Sequence, residues 1–411
     1  MSKMREAWPV AAIVLVVGLV NISTSPQNNW NIALLQLAFV LGTILCLRPS
    51  LQATRSLNPI LVLICLSMAI SNVLAGWDDA GLADWQRAID MLAHLGFALA
   101  IFHWFCRRPS ILHWVVAAKM LAVLTYFFVL VGFWLYLETP YSHSWFGDPP
   151  LFNHIRHLGM FLLVGTVMAS WAVLAYPDRR RGPSWAIFVV ALSMLLWSGS
   201  RGAVIAAGGG IALLGFKFAS ARHQRTWVLL GLGAALAFAL SAVFDVGQNG
   251  LGWLRAIERS VTAASVDQLS SSRLTIWSYL IPFVAERPWF GWGGEAFQHA
   301  WPTNGIIQAH NGVFQLMLEW GAVGTILILG PLGWIAIKRG LAYVRTASTQ
   351  PADSALPLGM SLVTALSIMS LVDGVFYHGT PMAFLMLGFG MVGASLYRAK
   401  DLTEGGPIAR S

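Results

Sequence analysis

Residues 112–136 read LHWVVAAKMLAVLTYFFVLVGFWLY, in which Lys119 is the one Lys, Arg, Asp or Glu residue. A helix needs about 20 largely apolar residues to cross the hydrocarbon layer of a bilayer. This stretch is long enough, and a helix satisfies all its backbone hydrogen bonds internally, as lipid requires. Residues 112–136 therefore predict a membrane-spanning helix.

The composition of the whole chain agrees with this reading. Of its 411 residues, 57% are hydrophobic and 11% are charged, whereas an ordinary soluble domain has roughly 25% charged residues. A soluble fold with so few charges could not cover its surface with polar groups, so a cytosolic enzyme is excluded. A disordered chain is excluded as well. The predicted fold class is an all-α polytopic membrane protein.

Windows of spanning length predict about twelve transmembrane helices. The first follows Lys3 and Arg5 and is interpreted as a retained anchor, because no small-x-small cleavage site follows it. The predicted spans are Trp8–Thr24, Trp30–Leu47, Pro59–Ala75, Ala88–Phe105, Leu112–Tyr136, Phe152–Tyr176, Ser184–Trp197, Ala203–Ala219, Thr226–Phe244, Val313–Ile337, Ala355–Val372 and Pro381–Tyr397.

The distribution of basic residues predicts the orientation, since cytoplasmic loops retain Lys and Arg. With the N-terminus inside, most of the 26 Lys and Arg residues lie on the inner side, and both termini are cytoplasmic. This bias accounts for the net charge of +8, so nucleic-acid binding is not expected. The outer arginines are Arg87, Arg156, Arg201, Arg255, Arg259, Arg273 and Arg287.

This topology divides the chain into four parts. Residues 1–244 form transmembrane helices one to nine, 245–311 form a large outer loop, 312–397 form helices ten to twelve, and 398–411 form a cytoplasmic tail. Within the loop, Ser272 can cap an amphipathic helix toward Glu286, which Arg287-Pro288 ends. Its apolar face, predicted to lie on the membrane surface, would comprise Leu274, Trp277, Ile281 and Val284.

Three outer arginines are candidates for binding an anion. Arg201 lies between two apolar helices in Ser198-Gly199-Ser200-Arg201-Gly202, and the planar guanidinium can donate two parallel hydrogen bonds to phosphate. Arg273 lies at a predicted helix N-terminus, which also favours anions. Arg156 lies at an outer membrane boundary. Each has an alternative interpretation. Arg201 could be a snorkelling side chain on a turn, Arg273 could belong to a solvated helix face, and Arg156 could anchor the chain at the interface.

A histidine and its neighbours form the fourth candidate element. His310 and Asn311 precede an apolar helix at the end of the outer loop, where a neutral imidazole can accept a proton. Glu319, further into that helix, can pair with an arginine or bond backbone groups. His157, next to Arg156, could join His154 in a metal site, but no carboxylate or third histidine is adjacent.

Metal and nucleotide chemistry have weak support in the sequence. Asp78 and Asp79, with Asp84, could hold a divalent cation, although carboxylates on a short loop are usually solvated. Cys46, Cys65 and Cys106 lie within or beside apolar stretches and suggest neither a disulfide framework nor a metal site. Neither a phosphate-binding P-loop nor a HExxH pair occurs, so ATP-driven work is not expected.

An ordered set of motifs resembles the O-antigen ligase/polymerase superfamily. The motifs are Ser200-Arg201-Gly202, Arg273-x-x-x-Trp277, Arg287-Pro288-x-x-Gly291-x-Gly293, His310-Asn311 and Glu319-x-Gly321, and the resemblance covers about residues 197–329. The length, the number of spans and the single large outer loop look most like the O-antigen ligases of lipopolysaccharide assembly.

This resemblance implies a transferase at the periplasmic face of the bacterial inner membrane. It would move O-antigen from undecaprenyl pyrophosphate to a sugar hydroxyl of lipid A–core, without a metal or another cofactor. By the matching motifs, His310 corresponds to the family's essential histidine, and Arg201 and Arg273 to its essential arginines. Arg156 matches more weakly.

Three other functions remain open. An O-antigen polymerase would use the same donor with a lipid-linked glycan as acceptor. A protein O-oligosaccharyltransferase usually carries extra C-terminal sequence, and the tail here is short. A secondary transporter or flippase would place broken, charged helices near the membrane midplane and show paired halves, whereas the candidate residues here gather at one face.

Overall fold

The computed structural model describes residues 26–47, 58–75, 82–220, 223–243, 247, 251–301, 306–346 and 355–404. Within these ranges the regular secondary structure is entirely helical. The predicted span Trp8–Thr24 lies outside the described residues, as do Asp78 and Asp79. The fold class is confirmed as that of an all-α polytopic membrane protein.

Every other predicted span overlaps a helix in the part of the chain that the structure describes. The helices are α1 Pro26–Leu47, α2 Asn58–Ala75, α3 Leu82–Arg107, α4 Ile111–Tyr136, α5 Ile155–Ala175, α6 Asp178–Trp197, α7 Arg201–Phe218, α8 Gln224–Val243, α9 Trp253–Val261, α10 Val266–Leu269, α11 Arg273–Glu286, α12 Ala296–Ala300, α13 Gly312–Thr346, α14 Ala355–Ser370 and α15 Gly379–Glu404.

Among the described residues, seven helices are long and apolar enough to cross a membrane. These candidate spans lie in α1, α3, α4, α5, α7, α8 and α13. Apolar stretches in α2, α14 and α15 are shorter, and α6 begins with Asp178 followed by three arginines. The count of twelve spans therefore stays a prediction.

Helix α5 forms the centre of the bundle. It is apolar on all sides, as a helix surrounded by other helices must be, and 94% of its spanning window is buried. It packs against α4, α6, α7 and α14. Helices α1 and α8 are only 28% buried and present much of their apolar surface outward, as helices in contact with lipid do.

Helix α11 forms as predicted, but its cap and its packed face differ from the prediction. Ser272 has a left-handed backbone (φ +62°) and makes no capping bond. Asp267 caps the helix instead, because its Oδ1 accepts a hydrogen bond from the backbone N–H of Thr275 at 3.0 Å. Ile276 and Leu280 form the buried face.

The predicted apolar stripe of α11 is therefore divided between two environments. Leu274 and Ile281 are exposed, whereas Trp277 and Val284 are half-buried beside the cluster formed by Ile276 and Leu280. That cluster includes Phe297 of α12 and Leu318 of α13. The helix thus buries one face against the protein itself.

Two glycines allow the loop after α11 to dock onto α13. Gly321 (φ +62°) breaks α13, and Gly291 (φ +70°) reverses the loop, both in a conformation that favours glycine. A Cβ on Gly291 would lie 2.6 Å from the Glu319 carbonyl oxygen. At the break, the carbonyls of Leu318 and Glu319 accept bonds from the loop, from Trp292 N at 2.8 Å and Gly293 N at 2.9 Å.

Candidate active site

A cavity of about 410 Å³ lies where α5 and α7 begin and α14 ends. Arg156, Arg201, Arg259 and Arg273 all line it, and among the described residues Asp373 is the one carboxylate in its wall. Arg156, Arg201 and Arg273 are the three arginines predicted from the sequence to bind an anion, whereas Arg259 is not among those candidates. Four guanidiniums against one carboxylate give the cavity an excess of positive charge, which suits a polyanionic ligand.

Arg201 is held at the edge of this cavity by the hairpin between α6 and α7. Gly199 adopts a left-handed conformation (φ +64°), which lets the chain reverse within three residues of the end of α6. Arg201 Nη1 donates to Ser260 Oγ at 2.8 Å, and its Nη2 donates to the Leu269 carbonyl at 2.9 Å and Ser271 Oγ at 3.2 Å. The guanidinium therefore ties α7 to the α9–α10 segment.

Arg259 and Arg273 lie beside the residues that Arg201 contacts, since Arg259 precedes Ser260 and Arg273 follows Ser271 by two positions. Arg273 Nη1 donates to the Ser270 carbonyl at 2.7 Å. Burial lowers the pKa of Arg273, and the charges of Arg156 and Arg201 add to this while Asp373 opposes it. Burial likewise lowers the pKa of Arg259, with contributions from Arg201 and Arg156. An anion that enters the cavity would relieve the repulsion among these cations.

A second cavity of about 460 Å³ adjoins the first and contains His310. Arg156, Ser271 and Asp373 line both cavities. His310 Nδ1 lies 3.1 Å from Asp373 Oδ1, and its Nε2 lies 3.2 Å from Arg156 Nη1. A carboxylate can only accept, so Nδ1 carries the proton and Nε2 presents a lone pair at the boundary between the cavities.

Asp373 is held as an anion. Burial acts to raise the pKa of its carboxyl, but the hydrogen bond from His310 and the charges of His310, Arg156 and His378 hold the pKa well below its usual range. Gly374 N and Gln308 Nε2 also donate to Oδ1, at 2.8 and 3.2 Å. A fixed carboxylate behind Nδ1 orients the imidazole and stabilises its protonated form.

Sequence reasoning missed Asp373. The residue directly follows the predicted span Ala355–Val372, and α14 ends at Ser370. A carboxylate at the edge of an apolar run is costly at membrane depth and thereby marks a functional candidate. That signal was present in Leu371-Val372-Asp373-Gly374.

Asp373→Asn is expected to slow catalysis at this site, because an amide cannot hold His310 in the same tautomer or stabilise its cation. Loss of a hydrogen bond to a charged group costs about 1.5–3 kcal/mol, or roughly 10- to 100-fold in rate. The measurement is the turnover of purified protein in glycan transfer from a lipid-linked donor, the reaction that the family resemblance implies. Turnover equal to that of the wild type would show that Asp373 does not support His310.

The supporting residues predicted from sequence occupy different places. His157 lies in the wall of the second cavity, with its Nε2 3.3 Å from His378 Nε2. Asn311 caps α13, since its Oδ1 accepts from Val313 N at 2.9 Å and Phe314 N at 3.1 Å. Glu319 lines neither cavity and forms a buried ion pair with Arg87.

No group of three or more His, Cys, Asp or Glu side chains that could hold a metal ion occurs among the residues that the structure describes. The alternative cation site, Asp78 and Asp79, falls outside them, and the side chain of Asp84 is likewise not described.

Comparison with known families adds independent information on the central part of the chain. Residues 186–329 match the family model described as O-Antigen ligase. The match confirms the resemblance over this stretch, which contains Arg201, Arg259, Arg273 and His310 and leaves Arg156 and Asp373 outside it. Members of this family are ligases and polymerases of the glycosyltransferase kind. No curated protein matches the chain.

Proposed function

We propose that the protein is an O-antigen ligase, an inverting and metal-independent glycosyltransferase. It moves O-antigen from undecaprenyl pyrophosphate to a sugar hydroxyl of lipid A–core at the periplasmic face of the bacterial inner membrane. The observation that carries the proposal is the position of His310, whose Nε2 lies 3.2 Å from Arg156 at the boundary between an arginine-lined cavity and a second polar cavity.

The arginine cavity is assigned to the pyrophosphate of the donor. Guanidinium groups bind phosphate through paired hydrogen bonds, and the cavity brings four of them together, on Arg156, Arg201, Arg259 and Arg273. The same cations would stabilise the charge that develops on the departing pyrophosphate. The donor is already activated by its pyrophosphate linkage, so no nucleotide is required.

The second cavity is assigned to the acceptor sugar. Its wall is rich in groups that exchange hydrogen bonds with hydroxyls, among them Asn153, Thr275 and Gln308, and it includes Trp301, whose ring offers an apolar face. His310 lies in this wall. An acceptor hydroxyl there would meet Nε2 while the donor occupies the adjoining cavity.

The chemical step follows from this arrangement. His310 Nε2 removes the hydroxyl proton, the oxygen attacks the anomeric carbon, and the bond from that carbon to the pyrophosphate oxygen breaks with its electron pair. Direct displacement inverts the anomeric configuration. In the structure, Arg156 Nη1 lies 3.2 Å from His310 Nε2 and donates to its lone pair. We infer that the donor pyrophosphate draws the Arg156 guanidinium toward itself and thereby frees the base.

The proposed topology has twelve spans, with both termini in the cytoplasm and residues 245–311 in the periplasm. It places the whole site on the outer side, where lipid-linked donor and lipid A–core meet. A transporter receives less support, because the arginines and His310 that line the two cavities lie together at one end of the bundle, where α5 and α7 begin.

Deletion of the gene tests the ligase against the polymerase, which is the nearest alternative. Loss of the ligase leaves rough lipopolysaccharide while long lipid-linked polymer accumulates. Loss of a polymerase instead leaves lipid A–core that bears a single repeat. Reconstituted transfer from a defined lipid-linked donor to separate candidate acceptors then identifies the acceptor.

A chelator is expected to leave the transfer activity of purified protein unchanged. The arginines take the role that a divalent cation has in other pyrophosphate-dependent transfers, namely to neutralise the leaving group. The measurement is the rate of product formation with and without EDTA. Strong inhibition that a divalent cation reverses would contradict the proposal and would direct attention to Asp78 and Asp79.

A further inference from the structure

A buried ion pair lies beyond the two cavities. Arg87 of α3 and Glu319 of α13 are 2% and 0% exposed, and Arg87 Nε lies 3.1 and 3.2 Å from the two carboxylate oxygens. Removing two charges from water is expensive, and such a pair rarely stabilises a fold more than apolar residues would. The presence of this pair therefore calls for a role in addition to packing.

Arg87 reaches the segment that carries Asp373. Its Nη2 donates to the Phe376 carbonyl at 2.7 Å, and its guanidinium carbon lies 5.2 Å from the centre of the Tyr377 ring. Both residues belong to residues 371–378, the connection between α14 and α15. Arg87 thus fixes the backbone three residues after Asp373.

Glu319 reaches the segment that carries His310. Its Oε1 accepts from Gln315 Nε2 at 2.8 Å, and Gln315 Oε1 accepts from the backbone N–H of Ala309 at 2.9 Å. The next residue, His310, has a left-handed backbone (φ +50°), which is unfavourable for a residue with a Cβ and persists only where its surroundings enforce it. The chain through Gln315 supplies part of that enforcement.

We propose that Arg87 and Glu319 are positioning residues that keep His310 and Asp373 at hydrogen-bonding distance from each other. Arg87 holds the segment that carries Asp373, and Glu319 holds the segment that carries His310. The ion pair between them therefore fixes the distance between the two segments. The inference rests on the proposed function, in which His310 and Asp373 form the base. Neither Arg87 nor Glu319 lines either of the two cavities, so neither is assigned a contact with substrate.

Glu319→Gln tests the proposal in reconstituted transfer. The amide keeps an oxygen for Gln315 but loses the charge that pairs with Arg87. A small displacement of a catalytic group can lower a rate by about 100-fold, so we expect kcat to fall about 10- to 100-fold. The KM for the donor should change by less than about twofold, because the arginine cavity is intact. Glu286→Gln is the control, since it makes the same exchange at an exposed carboxylate at the end of α11 that lines neither cavity, and it should leave kcat near the wild-type value.

A double-mutant cycle separates positioning from general damage. If Glu319 acts through the base, then Glu319→Gln should add little to the loss that Asp373→Asn already causes. Losses that multiply in full would overturn the proposal, and so would wild-type kcat in the single variant. A raised donor KM with unchanged kcat would also overturn it.

Modification by diethyl pyrocarbonate gives a readout that does not need activity. His310 of Glu319→Gln should react several times faster than His310 of the wild type, whereas the exposed His299 should react equally in both proteins. Equal reactivity of His310 in the two proteins would overturn the proposal. If wild-type protein transfers no glycan, the proposed function fails, and this labelling still decides the positioning role.

Gln315→Met provides the second variant if Glu319→Gln does not fold. It cuts only the link from Glu319 to Ala309 and keeps the ion pair. The same fall in kcat and the same faster labelling of His310 are expected. Wild-type values for both measurements would contradict the role assigned to the chain of contacts.

Discussion

His310→Ala is expected to abolish glycan transfer while the protein still inserts and folds. His310 is the imidazole at the junction of the two cavities, with Asp373 3.1 Å behind it. Removing a general base costs roughly 10²- to 10⁴-fold in rate. The measurement is transfer by purified protein, together with the lipopolysaccharide phenotype of a deletion strain that expresses the variant.

The control for this variant is His299→Ala. His299 lies in α12, is exposed and lines neither cavity, so its loss should leave transfer near the wild-type rate. Smooth lipopolysaccharide in the strain that carries His310→Ala would remove the assignment of His310 as base. Loss of activity in both variants would indicate that the loop, rather than one imidazole, was disturbed.

Arg201→Lys is expected to lose most of the activity although it keeps the positive charge. The fork of Arg201 donates simultaneously to Ser260, Leu269 and Ser271 and faces the arginine cavity. An ammonium is a point charge that lacks this planar geometry. Loss of one positioned donor to a developing anion costs roughly 10²- to 10³-fold in rate, and the donor KM should rise as well.

Arg255→Lys is the matched comparison for Arg201→Lys. Arg255 lies in α9, one turn from Arg259, but it lines neither cavity. Its replacement should leave the kinetic constants near those of the wild type. Wild-type turnover of Arg201→Lys would count against bidentate recognition of phosphate by this residue, and a collapse of its thermal stability would point to its ties with the α9–α10 segment instead.

The long apolar helices could be predicted from the sequence because length and hydropathy are local properties of each run. The faces of α11 could not. Its packing partners, Phe297 and Leu318, come from other elements, so periodicity alone could not determine which of its apolar residues are buried. The prediction of Ser272 as the cap of α11 was wrong for the same reason. The capping oxygen comes from Asp267, which lies five residues before Ser272.

Candidate site residues could be predicted where a single polar residue is recognisable by its own position in the sequence. Arg201, Arg273 and His310 stand out as polar groups beside apolar runs, and the structure places Arg156 next to His310. The pairing of His310 with Asp373 joins residues 63 positions apart. The ion pair of Arg87 and Glu319 spans 232 positions. Which residues pair depends on tertiary structure, so local spacing could not identify the partner of either residue.

The most direct test of the proposed mechanism is the stereochemistry of transfer. Purified, reconstituted protein joins a defined undecaprenyl-pyrophosphate-linked glycan to lipid A–core, and NMR then gives the anomeric configuration of the new bond. One imidazole base, a cavity of cations and no covalent intermediate predict inversion, with one undecaprenyl pyrophosphate released per bond. Retention of configuration would contradict the account, because it would require a nucleophile on the protein to attack the donor before the acceptor does.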